Sequence, residues 1–245
     1  MSKVSSNHPQ ESDSTTTESS SCLNKVPRPG LPECIVGLVV LFVVGFVGGS
    51  QLSRLGLDPV IYGLIFTALS GIAGIAGFAA AVLLRIRSLS PFGVRPTSRR
   101  WLLIAVGVGL VAIVLKGLAI LGWIQITGNA ENVQGIYAQG GSGGALSLVL
   151  ATVFLGLLTP IGEEVLFRGV ITTVLLRHDP VLGVVGSTLI FAIAHGFNIV
   201  FPAAVVAGLA TAEIYRRSGS VWTAVVVHVV FNLPTIPVMV AAGMG

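Results

Sequence analysis

Beyond residue 33 the chain is a succession of long apolar runs broken by short polar segments. The runs cover 34–52, 60–84, 101–126, 145–176, 183–197, 200–215 and 220–240. A helix that crosses a bilayer needs about 20 mostly apolar residues, and most of these runs reach that length. The fourth is too long for one crossing and contains Pro160, so a kink or a break into two helices is expected there. The fifth and sixth are short and are joined by HGFNIVFP, where Gly196 and Pro202 mark a tight turn. The pattern predicts an all-α fold, a polytopic membrane helix bundle with about seven transmembrane helices. Residues 1–33 carry Ser, Thr, Pro and charge with almost no apolar content and are expected to be a disordered cytoplasmic tail. The first apolar run begins too late for a cleaved signal peptide, so it is expected to be a retained helix. The membrane domain is then 34–245.

Composition agrees with this picture. Of 245 residues, 53% are hydrophobic and 10% charged, against about 25% charged in soluble domains. The net charge of +4 could suggest nucleic acid, but the cations are placed otherwise. Five of the 14 Lys and Arg lie in RIRSLSPFGVRPTSRR, residues 85–100, which has no aromatic-interleaved basic pattern and reads as a topology signal, not a nucleic-acid patch. The loop 127–144 has no Lys or Arg and is expected outside. Arg177, Arg216, Arg217 and the tail with Lys25 and Arg28 then fall inside, and only Arg54 outside. This puts the N-terminus in the cytoplasm, the C-terminus outside and the protein in the plasma membrane. Cys22 and Cys34 lack disulfide or metal spacing and read as inert thiols. The Gly45–Gly49 pair and GIAGIAG (71–77) permit close helix packing and receive no function.

Few ionisable residues remain at membrane depth: Lys116, Glu163, Glu164, Arg168, His195, Glu213 and His228, with Asn232 as a neutral polar neighbour. Such groups cost at least about 2.5–3.5 kcal/mol each and usually face a bundle interior. At about 1.5 Å per residue, Glu164 lies roughly 20 Å from Arg177 and His195 roughly 18 Å from Gly183. His228 and Asn232 lie roughly 12 and 18 Å past Ser220. Three separate helices thus bring polar groups to one level. Glu213 belongs to the cytoplasmic edge beside Arg216, and Lys116 is set apart as a residue that could snorkel or pair. Glu164–Arg168, Phe191–His195 and His228–Asn232 are all i,i+4 pairs on shared faces. Glu164 with Arg168 makes an internal ion pair, which leaves Glu163 free for chemistry. A carboxylate beside an imidazole can hold a water and take its proton. A second imidazole with an amide offers donors to an oxyanion. Glu163, His195 and His228 are also a two-His, one-Glu set of the kind that binds catalytic zinc.

At these residues the sequence resembles the CAAX prenyl protease and bacteriocin-processing (CPBP, or Abi) intramembrane proteases. The family pattern EExxxR, FxxxH, HxxxN reads here Glu163-Glu164 to Arg168, Phe191 to His195 and His228 to Asn232, over residues 145–240. The resemblance implies an intramembrane endopeptidase acting on membrane-associated protein or peptide substrates in contact with the lipid bilayer. It implies that Glu163 with His195 activates water, that His228 with Asn232 stabilises the oxyanion, and that Glu164, Arg168 and Phe191 support them. It implies no required cofactor; a zinc-dependent protease would use Glu163, His195 and His228. Two other classes stay open: a non-catalytic scaffold or bacteriocin self-immunity factor, and a coupled transporter, for which no internal repeat is visible.

Overall fold

The computed structural model describes residues 27–244; residues 1–26 of the tail expected to be disordered, with Cys22 and Lys25, lie outside the described residues. The described chain is helical without strands: α1 (Leu31–Leu55), α2 (Pro59–Leu84), α3 (Arg99–Thr127), α4 (Gly135–Gly141), α5 (Ala145–Leu175), α6 (Leu182–Ala194), α7 (Phe201–Ser218), α8 (Val221–Asn232) and α9 (Thr235–Ala241). Among the described residues five stretches are long and apolar enough to cross a membrane: α1, α2, α3, α5, and α8 with α9 as Val221–Ala241. The protein is a multi-pass membrane helix bundle. The remaining two apolar runs are also helices: α6 is short, and α7 ends in the charged cluster Glu213, Arg216 and Arg217.

Of the kink or break expected at Pro160, the break does not occur: α5 is one continuous helix of 31 residues. A π turn over Phe154–Leu158 resets the hydrogen-bond ladder just before Pro160, which then starts a new α-helical stretch where its missing N–H removes least. A second π turn covers Phe167–Thr172. Helix α1 begins at Leu31, three residues ahead of the first apolar run. Glu33 is fully buried, accepts the Gly30 N–H at 2.7 Å and pairs with Arg85, whose Nη2 lies 2.9 Å away. Pro32 suits the first helical turn, and the Glu33 carboxylate holds the Gly30 N–H at the helix start.

Helix α2 is the hub. Its buried stripe of Gly63, Thr67, Gly71, Gly74 and Gly77 meets three neighbours at backbone distance. Gly63 faces Gly140 of α4, Gly71 and Gly74 face Leu158 and Gly162 of α5, and Gly77 faces Gly37 of α1. The stretch GIAGIAG therefore seats the helix that carries Glu163. The core beside it is built on the fully buried Phe92, Leu166, Phe167, Phe191, Val221 and Val227.

The basic segment 85–98 is more than a topology signal. Phe92 plugs the core edge-on to Phe78, and Arg95 Nε donates to the Gly219 carbonyl at 2.6 Å. Ser220 Oγ donates to the Arg95 carbonyl, also at 2.6 Å, and the Val221 amide to Gly93. Arg177 donates to the Pro29 carbonyl. These contacts tie α1, α2, α5, α7 and α8 together at the cation-rich end of the bundle. In the loop expected outside, residues 135–141 form α4, which docks on α2.

Candidate active site

Neighbouring residues on a helix point about 100° apart, and α5 uses this to separate its two glutamates. Glu164 faces inward and is fully buried. Its Oε2 accepts from Arg168 Nε at 2.8 Å, and its Oε1 lies 2.7 Å from His228 Nδ1 of α8. Arg168 is fully buried too, with its guanidinium 5.0 Å from the centre of the Phe191 ring. That ring is held edge-on by Phe167 and lies 4.5 Å from the His195 ring. The Phe191 carbonyl accepts from His195 Nδ1 at 2.8 Å. Phe191 thus fixes Arg168 with its ring and His195 with its backbone.

These partners settle the imidazole tautomers. A carbonyl can only accept, so His195 carries its proton on Nδ1. A carboxylate ion-paired to arginine also accepts, so His228 Nδ1 donates to Glu164. Both rings then direct Nε2 toward Glu163. His195 Nε2 is 3.9 Å from Glu163 Oε1, and His228 Nε2 is 3.9 Å from Glu163 Oε2. These separations are too long for direct hydrogen bonds and suit one water bonded to both groups of a pair. Behind His195, Gly196 takes φ +78° and the Asn198 side chain bridges the His195 carbonyl and the Val200 amide, closing the turn into α7.

Asn232 lies one turn beyond His228 and donates through Nδ2 to the Leu155 carbonyl at 3.3 Å, inside the first π turn of α5. One amide hydrogen of Asn232 remains for another acceptor. Glu163, His195, His228 and Asn232 all line a cavity of about 610 Å³. Lys116 and Tyr137 line it as well. A second cavity of about 770 Å³ opens between α1 and α6, walled by Leu38, Phe42, Phe46 and Ile193. The two share Ser70, Gln134, Tyr137, Glu163, His195 and Val200, so they meet at the Glu163–His195 pair.

Sequence reasoning separated Lys116 from the polar set; the fold brings it into the same cavity. The signal was present as the one cation inside the third apolar run, but only helix packing showed which way it faces. Tyr137 and Gln134 gave no signal, since nothing in the loop's composition tells that α4 docks inward. Glu213 keeps to the cation-rich end, held by Arg216 and Arg217. Among the described residues no three His, Cys, Asp or Glu side chains form a group that could hold a metal ion. Glu163, His195 and His228, the set of the zinc alternative, meet with one Glu163 oxygen 3.9 Å from each imidazole Nε2.

Residues 145–234 match the family model described as Type II CAAX prenyl endopeptidase Rce1-like. Comparison with curated proteins gave no match, and neither did comparison with solved structures.

Proposed function

We propose, from the premise that residues 145–234 belong to the CPBP/CAAX family of intramembrane proteases, that the protein is an endopeptidase of the plasma membrane. It hydrolyses peptide bonds of membrane-associated substrates with water activated by Glu163 and His195. The observation that carries this reading is the pair of imidazole Nε2 atoms, each 3.9 Å from an oxygen of Glu163, at the junction of two cavities.

A water between Glu163 and His195 Nε2 gives its proton to the carboxylate as its oxygen attacks the scissile carbonyl. The carbonyl π electrons move onto oxygen, and the oxyanion is met by donors in the same wall. Asn232 supplies its remaining amide hydrogen. His228 supplies Nε2–H only when its ring is doubly protonated, because Nδ1–H is committed to Glu164. Glu163 then returns the proton to the leaving amine. Glu164, Arg168 and Phe191 touch no reacting atom; they hold the orientation of His228 and His195.

The test is cleavage of a candidate membrane-associated substrate by purified protein. Glu163→Gln and His195→Ala are expected to lower kcat by at least about 10²-fold while leaving thermal stability unchanged, and activity is expected to persist in strong chelator. Wild-type rates in both variants would sink the reading. Loss of wild-type activity in chelator would transfer it to the zinc form.

A further inference from the structure

Helix α4 brings two polar side chains to the junction of the two cavities: Gln134, which precedes its first turn, and Tyr137, three residues on along the same face. Both lie outside residues 145–234, so the family match does not reach them. The seat of α4 on α2 is fixed at backbone distance, since a Cβ on Gly63 would lie 2.5 Å from the Gly140 nitrogen. The Tyr137 ring lies 5.7 Å from that of Phe66 and packs on the small cluster of Ala151, Leu155 and Ile236. Phenylalanine would make the same contacts, so packing accounts for the ring and not for the hydroxyl. No described residue hydrogen-bonds that hydroxyl. Burial and the Glu163 charge push it up to about 12, so it keeps its proton at neutral pH. A phenol that shares a cavity wall with a carboxylate, holds its proton and donates to nothing in its own chain is set to meet an acceptor that enters the cavity.

We infer that the Tyr137 hydroxyl donates to a main-chain carbonyl of the substrate where the chain passes from one cavity to the other beside Glu163 and His195. The inference rests on the proposed peptidase reading of that site. The acceptor is main chain for a chemical reason. An apolar, membrane-associated segment carries few side-chain acceptors, but every residue brings one carbonyl that must be paired once it leaves water. His228 and Asn232 line the first cavity and not the second, and they serve the carbonyl under attack. Tyr137 lines both, so it takes a neighbouring carbonyl and sets the register in which the chain crosses Glu163.

A tyrosine that only supports α4 would be indifferent to the chemistry of a peptide bond, so the test reads that chemistry. Full-length Glu163→Gln protein in detergent is titrated with one labelled eight-residue apolar peptide, acetylated and amidated at its ends. It is then titrated with a set in which each main-chain amide in turn is replaced by an ester, whose carbonyl is the weaker acceptor. An ester at one position, or at two neighbouring ones, is expected to weaken binding about fivefold, the size of one hydrogen bond. Adding Tyr137→Phe, which keeps the ring and its contact with Phe66, is expected to weaken the all-amide peptide about fivefold. It also abolishes the ester penalty at that position and leaves the others as they were. An ester profile unchanged by Tyr137→Phe overturns the inference, as does a Tyr137→Phe effect equal for every peptide, which is a packing effect alone. Failure of every peptide to bind overturns it too, as does an absence of any ester penalty before Tyr137 is altered. Binding is read without hydrolysis. A protein with the Tyr137-dependent penalty that cleaves nothing keeps the main-chain contact and loses only the peptidase reading.

Discussion

Alanine at Gly74 is the most direct probe of how the catalytic helix is seated. A Cβ at Gly74 would lie 2.5 Å from both the carbonyl carbon and oxygen of Gly162 and 2.9 Å from the Glu163 amide nitrogen. Ordinary carbon contacts lie at about 3.5–4.0 Å, so α2 and α5 must part by about 1 Å. All three atoms are backbone, and no side chain can swing away to make room. Overpacking of this kind costs about 1–3 kcal/mol, or roughly 2–12 °C in Tm for a chain of this size. The displaced segment includes Glu163, whose oxygens are 3.9 Å from each imidazole. A shift of about 1 Å in such a constellation can lower the rate about 10²-fold. Thermal unfolding in detergent and substrate cleavage are measured beside Gly117→Ala, whose Cβ would meet nothing within 4 Å. The control is expected to be neutral or slightly stabilising, since alanine favours helix over glycine. If Gly74→Ala melts and cleaves like Gly117→Ala, the close crossing of α2 and α5 does not seat the site.

Two further outcomes follow from buried charge. Arg168→Met strands the fully buried Glu164 carboxylate and is expected to cost about 3–5 kcal/mol, while the double variant Glu164→Gln/Arg168→Met recovers much of it; melting temperatures that fall equally in both would refute the pairing. Glu33→Ala removes the acceptor of the Gly30 N–H and the partner of Arg85, with an expected loss of about 1–2 kcal/mol. Hydrogen exchange should then rise over residues 31–36, and Arg85→Ala should add little to the Glu33→Ala effect in a double-mutant cycle.

The apolar runs announced the helices because a bilayer leaves the backbone no partners except its own. The i,i+4 spacing of Glu164 and Arg168 likewise announced their ion pair, since both residues sit on one helix and need no other element to meet. At Pro160 the sequence left a kink or a break open, and the choice against a break shows only in the structure, where a π turn just ahead of the proline keeps α5 one helix.

Contacts between helices were legible only where a residue type left one option. Polar groups on α5, α6 and α8 had to face inward, and their common depth followed from counting residues along each helix. Which groups touch did not. Glu164, already paired along its own helix, also takes His228 Nδ1, and Glu163 meets both Nε2 atoms. Lys116 turns into the same cavity, and α4 docks against Gly63. Periodicity fixes the face a residue occupies on its own helix. The rotation and approach of one helix against another come from small residues such as Gly71, Gly74 and Gly162, whose backbones meet directly, and that fit exists only once all the helices are assembled.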